Sequence, residues 1–319
     1  MLKLVPALAA LLAVLSGSAA FAQDYPVKPL RFLIPYTPGG SPDVISRIIG
    51  TQVSEVVKQP VLVENRPGAD GLIAIRALLQ APADGYTVLY TAYLTIQLLS
   101  LTSKNADFKV EDFRVVGTSG IGPTVFGVSK SLGVKNLAEF VAHARAKPGS
   151  LNYGATSPSL ELVNLRFLRA AGIKAERIGY KGSVVALTDM AGGLLQMYMD
   201  GAVTSVPQHK QGNILILAIA GEKRMAALPD IPTFKEQGYP TVVSATYTDF
   251  FVPSKTPDAV ARKLSGAFGA AIADPGIQKK MTGLSREFWP GPLDEYIRHI
   301  DEVVKGWGED IRLSGIKAE

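Results

Sequence analysis

The sequence contains no cysteine among its 319 residues. This absence excludes disulfides, thiol nucleophiles, cysteine-ligated metals and the lipidated cysteine that tethers some exported bacterial proteins to a membrane. Histidine occurs only three times, at His143, His209 and His299, on predicted helices without nearby partners. Stability must therefore come from the hydrophobic core, and a chain of this length can bury such a core in about two domains.

Catalytic motifs are also absent. The sequence has no G-x-S-x-G elbow, no H-E-x-x-H pair, no P-loop and no calcium-loop spacing, and its S-x-x-K match, Ser314 to Lys317, lies in the tail. No residue is indicated as a nucleophile, and no cofactor or metal is indicated. The hypothesis that the protein is a periplasmic hydrolase therefore has no motif to support it.

Basic clusters are missing although the chain is cationic. The formal net charge is +5 and the sequence pI is about 9.2, yet lysine and arginine are scattered and do not interleave with aromatic residues. This pattern does not favour nucleic-acid binding. A mildly cationic surface would instead help to gather anionic ligands.

One long apolar run occurs, and it lies at the N-terminus. Lys3 is followed by an apolar stretch from Leu4 to Leu15 and then by Ala20-Phe21-Ala22. The run is shorter than the ~20 apolar residues that a membrane-spanning helix needs, and Pro6 interrupts it. We therefore interpret residues 1–22 as a signal peptide cleaved after Ala22, rather than as an uncleaved anchor, and expect the mature protein in the periplasm.

The most informative stretch runs from Arg31 to Val44, where an apolar strand signal stops at a Pro/Gly loop and a helical pattern begins. Pro38, Gly39 and Gly40 keep the loop free of bulky side chains, and Ser41 and Pro42 suit the first turn of a helix. Backbone N–H groups at such a helix start attract small anions, including carboxylates.

Strand and helix signals then alternate along the chain, which predicts mostly parallel sheets flanked by helices. Strands are predicted at 61–64, 86–91, 124–128, 151–153, 195–199 and 214–219, and helices at 43–57, 72–80, 137–146, 184–190, 257–273 and 293–313. An extended run at 241–252 is long enough to pass between two lobes. We predict lobe 1 at 23–123 and 246–319 and lobe 2 at 124–245, with a ligand cleft between them.

Several motifs together resemble one known family, the Bug-type periplasmic solute-binding receptors of tripartite tricarboxylate transporters. The motifs that carry the resemblance are Tyr25-Pro-Val-Lys-Pro-Leu-Arg31, Ile34-Pro-Tyr-Thr-Pro-Gly-Gly40, Val63-Glu-Asn-Arg-Pro-Gly-Ala69, Asp84-Gly-Tyr-Thr87, Tyr180-Lys-Gly182, Asp189-Met-Ala-Gly-Gly193 and Leu228-Pro-Asp-Ile-Pro-Thr233. The resemblance runs through essentially the whole mature chain.

The resemblance implies a two-lobed type II periplasmic binding protein fold that captures a small carboxylate and delivers it to integral-membrane transporter subunits. In this family the carboxylate is typically held by backbone amides and ordered waters from two loops. These loops map to Tyr36–Asp43 and Ala155–Ser159 in this sequence. The implied protein needs no cofactor, binds no nucleic acid and is expected to be a monomer.

Some positions depart from the family pattern. The stretch Tyr93-Leu-Thr-Ile-Gln97 stands where many relatives have an Asn-Pro pair, and Tyr247 stands where tryptophan is common. These side chains suggest a larger, aromatic or dicarboxylic ligand. The candidate ligand-binding residues are Tyr36, Pro38, Gly39, Gly40, Ser41, Asp43, Tyr93, Gln97, Ala155, Thr156, Ser157, Ser159, Asp200, Thr204 and Tyr247.

Some alternatives remain open from sequence alone. Asp43 is equally compatible with a helix-dipole role and with accepting hydrogen bonds from a ligand or site waters. Ser157 or Ser159 is expected to cap the helix that follows. The receptor could also signal to a sensor protein instead of supplying a permease.

Overall fold

The computed structural model describes residues 25–314. The predicted signal peptide lies outside the described residues. The strands are β1 (Leu30–Ile34), β2 (Val61–Asn65), β3 (Thr87–Ala92), β4 (Phe113–Val128), β5 (Asn152–Ala155), β6 (Glu176–Gly179), β7 (Met197–Gly201), β8 (Leu215–Ile219) and β9 (Ala245–Pro253).

The helices alternate with these strands. They are α1 (Ser41–Val57), α2 (Leu72–Leu79), α3 (Tyr93–Thr102), α4 (Leu137–Ala146), α5 (Pro158–Ala171), α6 (Ser183–Ala191), α7 (Ala202–Lys210), α8 (Asp258–Ala273), α9 (Pro275–Gly283), α10 (Leu293–Gly306) and α11 (Gly308–Ser314). None of these helices is long and apolar enough to cross a bilayer.

The first sheet has the strand order β2-β1-β3-β9-β4. Strand β1 is parallel to β2 and β3, whereas β9 is antiparallel to both β3 and β4. Successive side chains point to opposite faces, so Phe32 packs with α1 and α8 while Leu33 packs with α2 and α3. This sheet is therefore covered by helices on both faces.

The second sheet has the order β6-β5-β7-β4-β8, with β5 parallel to β6 and β7 and with β4 antiparallel to β7 and β8. Phe126 packs against α4 and α5, and its neighbour Val125 packs against α6 and α7 on the other face. The aromatic rings of Phe140 and Phe167 lie 5.1 and 4.9 Å from that of Phe126. The second lobe is thus another sheet buried on both sides.

Strand β4 belongs to both sheets. Its first part pairs with β9 as far as Pro123↔Ala245, and its last part, from Thr124 onward, pairs with β7. The sequence pattern predicts only 124–128 as a strand. This boundary is wrong because Gly117, Gly120, Gly122 and Pro123, which are typical of loops, lie within the strand. Gly120, for example, adopts φ 79°, and a Cβ there would lie 2.5 Å from the Glu287 carbonyl oxygen. These glycines let the strand bend and pass between the lobes.

The C-terminal tail also differs from its prediction. The single helix predicted at 293–313 is two helices, α10 and α11, that meet at Trp307. Trp307 packs into the second lobe's core, and the Arg166 guanidinium lies 3.3 Å from its ring centroid. Arg166 also donates from Nε to Asp310 at 3.1 Å. Leu293, at the start of α10, packs instead against the first lobe, so the tail contacts both lobes.

Asp249 on β9 is a fully buried acid. Tyr296 donates to its Oδ1 at 2.6 Å, whereas its Oδ2 has no hydrogen-bond partner within residues 25–314. Burial raises the pKa of this carboxyl from 3.8 to about 7. The folded protein therefore keeps a proton on Asp249 in a pH range where the unfolded chain has lost it.

This raised pKa predicts that stability falls as pH increases. Between pH 4 and pH 7 the folded state binds more protons than the unfolded state, so the free energy of unfolding decreases through that window by up to about 4 kcal/mol for this group. Denaturant titrations at pH 4 and pH 8 span this window and measure the change. Asp249→Asn is expected to reduce it, whereas the exposed substitution Asp230→Asn is not. An equal pH dependence in wild type and Asp249→Asn contradicts this assignment.

Candidate ligand-binding site

A cavity of about 50 Å³ lies between the two lobes. Its walls come from the starts of helices and from the two strands, β4 and β9, that pass between the lobes. Most of the exposed wall surface is apolar, with side chains such as Ile45, Pro123, Leu160, Val203 and Leu284. Polar side chains, chiefly serines and threonines, also line the cavity.

Within residues 25–314, five helices begin at this cavity. Helices α1 and α3 come from the first lobe, and α5, α6 and α7 come from the second. The residues of their caps or first turns that line the cavity are Gly40, Ser41, Pro42, Ala92, Ser157, Ser159, Leu160, Ser183, Gly201, Ala202 and Val203. The first N–H groups of a helix have no intrahelical acceptor and carry its positive dipole end. Together they make the cavity suitable for an anion.

Asp43 shapes the loop that leads into α1. It is buried, and its carboxylate accepts from the Gly39 N–H at 2.9 Å, from Arg47 Nε at 3.1 Å and from Asn65 Nδ2 at 2.8 Å. Burial alone raises the pKa of Asp43, but the bonds from Arg47 and Gly39 outweigh it and lower the pKa. Asp43 does not line the cavity, so the structure indicates a bracing role for this side chain.

The second loop is organised by hydroxyl groups. Ser157 caps α5 and accepts the Leu160 N–H at 3.4 Å, which confirms the predicted cap. Ser159 contacts both the Ser157 hydroxyl at 3.1 Å and Thr95 of the first lobe at 3.2 Å. Thr156 is held by the buried Tyr198 hydroxyl at 2.8 Å. Hydrogen bonds within the protein therefore hold this loop in place.

Asp200 joins the starts of α6 and α7. Its carboxylate is buried and accepts hydrogen bonds from Ser183 at 2.7 Å, Thr204 at 2.6 Å and Ser205 at 2.7 Å. Burial raises the pKa of Asp200 despite these three donors. The carboxylate is occupied by donors from its own lobe, and it positions the two helix starts that face the cavity.

The lobes touch each other at the rim of the cavity. Thr37 donates its backbone N–H to the Lys181 carbonyl at 3.1 Å, and the Ser41 and Thr204 hydroxyls are 2.9 Å apart. Asp70 of the first lobe and Arg177 of the second approach to 3.5 Å. The conformation is therefore closed over the cavity.

The predicted site residues divide into two groups. Those that the fold brings to the cavity wall are Tyr36, Gly40, Ser41, Thr156, Ser157, Ser159 and Asp200. Pro38 and Gly39 are exposed, Ala155 is buried in β5, and Gln97 is half-buried on α3. Thr204 lies at the rim, where it contacts Ser41.

Tyr93 and Tyr247 line a neighbouring cavity of about 290 Å³ that shares Ala92 and Thr246 with the first. The Tyr93 hydroxyl donates to Asp301 at 2.8 Å, and the Tyr247 hydroxyl lies 3.2 Å from His299 Nε2. Both phenol groups thus contact α10. They could meet a ligand only where it extends out of the central cavity.

Sequence reasoning missed several cavity residues, among them Ser183, Thr246, Thr248 and Arg286. Gly182-Ser183 before the apolar Val184 is a helix-start signal that could have indicated the first of these. Arg286 follows α9 in a segment without a recognisable motif, and no pattern links it to the cavity.

Two α/β lobes that share crossing strands, with helix starts from both lobes around a central cavity, define a periplasmic solute-binding protein. The family model described as "Tripartite tricarboxylate transporter family receptor" matches residues 45–316, and the chain belongs to this family. The resemblance inferred from sequence and the two-lobed fold are thereby confirmed.

Individual relatives agree with this assignment. The chain is 30% identical to a UPF0065 protein in the gbd 5' region of Cupriavidus necator over 291 residues, covering 90% of this chain and 87% of the relative. It is 28% identical to Protein BugT of Bordetella pertussis, covering 93% and 92%. The solved structure of R. palustris Rpa4515 with adipate superposes with a TM-score of 0.87 at 27% identity, covering 92% of this chain and 99% of that one.

Proposed function

We propose that the protein captures one small organic carboxylate between its lobes and presents the closed form to integral-membrane transporter subunits. The observation that carries this proposal is that, within residues 25–314, five helix N-termini from both lobes converge on a single cavity. Neutral backbone donors can hold an anion and still release it. The proposed role is binding, without catalysis.

Further features support the same proposal. A relative of the same fold is described with adipate, a carboxylate. Contacts such as Thr37 to Lys181 join the two lobes only when the cleft is closed, so they can report capture to a partner. We propose that the protein is a periplasmic monomer. We also propose that the chain passes from lobe 1 to lobe 2 between Pro123 and Thr124 and returns to lobe 1 between Ala245 and Thr246.

A ligand screen by thermal shift tests the proposal. The mature chain is heated with mono-, di- and tricarboxylates, aromatic acids and amino acids, and with the corresponding amides as neutral controls. A ligand at about 100 times its Kd is expected to add roughly 2.7 kcal/mol to the free energy of unfolding. Stabilisation by neutral compounds alone contradicts carboxylate binding.

Product analysis separates binding from catalysis. The stabilising carboxylate is incubated with the protein and recovered, and we expect it unchanged. Conversion of the recovered compound contradicts the binding role.

A further inference from the structure

An arginine of the second lobe bridges two carboxylates, one from each lobe. Arg177 on β6 donates from Nε to Glu161 Oε2 at 2.8 Å, and its Nη2 lies 3.5 Å from Oδ2 of Asp70 in the first lobe. Glu161 is buried, and the Tyr153 hydroxyl donates to its other oxygen at 3.4 Å. Asp70, Arg177 and Glu161 are called the interlobe latch below.

Asp70 lies on a turn with an unusual backbone. Gly68, Ala69, Asp70 and Gly71 have φ values of 121°, 48°, 52° and 107°, so four consecutive residues lie at positive φ. Glycine adopts such values freely, whereas they are unfavourable for alanine. The Gly71 N–H donates to the Gly68 carbonyl at 3.0 Å and closes the turn. This closed turn fixes the point at which Asp70 meets Arg177.

Each end of the latch is connected to a loop that faces the ligand cavity. In the first lobe, Asn65 donates from Nδ2 to the Tyr36 carbonyl at 3.0 Å and to Asp43 Oδ1 at 2.8 Å, and Tyr36 lines the cavity. In the second lobe, Glu161 lies in the first turn of α5, directly after the cavity residue Leu160. Closing the latch and bringing the two loops together are therefore the same movement.

The charge of Arg177 is shared differently in the closed and open conformations. Burial lowers the pKa of Arg177, but the hydrogen bond and charge of Glu161 and the charge of Asp70 outweigh it and raise the pKa. When the lobes separate, Asp70 leaves with the first lobe, while Glu161 stays beside Arg177. The attraction between Asp70 and Arg177 thus opposes opening. The two side chains are 40% and 39% exposed, so dissolved salt screens this attraction.

We propose that the interlobe latch sets how long the protein retains its ligand, because the cleft opens only when Asp70 separates from Arg177. Arg177 is a positioning residue, which Glu161 holds at the place that Asp70 reaches on closure. The effect falls on the dissociation rate constant, because association starts from the open form, in which the pair is apart. This inference rests on the proposed capture of a carboxylate and adds the contact that controls its release.

Stopped-flow kinetics with Asp70→Asn test the inference. The probe is the carboxylate of the thermal-shift panel that stabilises the wild type most, and the observed rate at several concentrations gives the association rate constant as slope and the dissociation rate constant as intercept. Asparagine tolerates positive φ, so the substitution removes the charge and keeps the turn. We expect dissociation to become about 2- to 5-fold faster, the range for an exposed ion pair, and association to stay within about 2-fold.

Asp84→Asn is the matched control. Asp84 is also an aspartate on a first-lobe turn, its side chain is 41% exposed, and it forms an ion pair with Lys28 at 3.2 Å. Lys28 belongs to the same lobe, so opening the cleft leaves this pair intact. Both substitutions change the net charge by the same amount. An influence of overall charge on an anionic probe therefore appears in both variants, and the latch effect appears only in Asp70→Asn.

Salt dependence is a readout that a merely structural role would not move. Between about 50 mM and about 500 mM NaCl, the dissociation rate constant of Asp70→Asn relative to wild type is expected to fall toward unity, because screening weakens a pair that only the wild type has. Glu161→Gln/Arg177→Gln removes the guanidinium without leaving a buried carboxylate unpaired. Adding Asp70→Asn to this double variant is expected to leave dissociation unchanged, because the partner is already absent.

The outcomes separate this inference from the proposed function. If the wild type binds no carboxylate of the panel, the proposed function fails. If it binds one and Asp70→Asn releases it at the wild-type rate, or accelerates release equally with and without Arg177, the latch is overturned and the proposed function stands. If Asp70→Asn does not fold, Glu161→Gln/Arg177→Gln decides. Faster release that responds less to salt than in wild type supports the latch, and release at the wild-type rate overturns it.

Discussion

Gly182→Ala is expected to weaken ligand binding by roughly 5- to 150-fold, the consequence of about 1–3 kcal/mol of overpacking in the closed state. Gly182 is the N-cap of α6 and has φ 172° and ψ 162°, an extended conformation that alanine adopts without strain. A Cβ at this position would lie 2.0 Å from Thr37 Oγ1 and 3.2 Å from the Thr37 backbone nitrogen. Thr37 belongs to the opposite lobe, so the clash arises only when the lobes close.

The measurement is calorimetric titration with a carboxylate found in the thermal-shift screen, accompanied by unfolding of the free protein. We expect the free energy of unfolding without ligand to change little. Gly192→Ala is the control, because its Cβ would have no neighbour closer than 3.6 Å and it lies at the other end of the same helix. Equal affinities for wild type and Gly182→Ala would show that closure tolerates the methyl group and would contradict the prediction.

Asp200→Ala is expected to lower the free energy of unfolding by about 2–3 kcal/mol and to abolish measurable binding. Three buried or half-buried hydroxyls, those of Ser183, Thr204 and Ser205, lose their acceptor. Ser183 can still bond Tyr198 at 3.1 Å, which limits the cost. The starts of α6 and α7 then lose the group that holds both, and their N–H groups are no longer directed at one point.

Asp200→Asn separates the two effects of this substitution. The amide keeps one acceptor oxygen and nearly the same volume, so we expect a smaller loss of stability and partial binding. Denaturant titration and calorimetry on both variants provide the comparison. Wild-type affinity in Asp200→Ala contradicts a positioning role for this carboxylate.

The fold class is well determined by local patterns. Alternating apolar segments predict α/β lobes, because strands buried on both faces and helices buried on one face require different spacings of apolar residues. The same local reasons predict the helix at 137–146 and a cap at Ser157 or Ser159, and the structure confirms both, with the cap at Ser157. Strand β4 was predicted only in part, since its glycines and Pro123 have the composition of a loop although long-range pairing with β9 makes them a strand.

The first-lobe loop shows how far a local signal extends. Pro38-Gly39-Gly40-Ser41 predicts a loop that opens a helix, and Gly40 and Ser41 line the cavity. Which members of the loop face inward was not predictable, because Asp43 turns the backbone by bonding Gly39, and Asn65, 22 residues away, ties both Asp43 and Tyr36 in place. For Tyr93 and Tyr247 the local signal fails, because both phenol groups bond to side chains of α10 and not to the central cavity.

By itself the sequence determined a two-lobed α/β receptor with a helix start suited to a carboxylate, because apolar periodicity and loop composition are properties of neighbouring residues. The tertiary structure alone decided which groups meet in the cleft. Arg286 reaches the cavity from a segment more than 240 residues away from Gly40, and Asp200 finds its donors on two separate helices. Such convergence depends on the sheet order and on the pairing of β4 with β9, neither of which has a local signature.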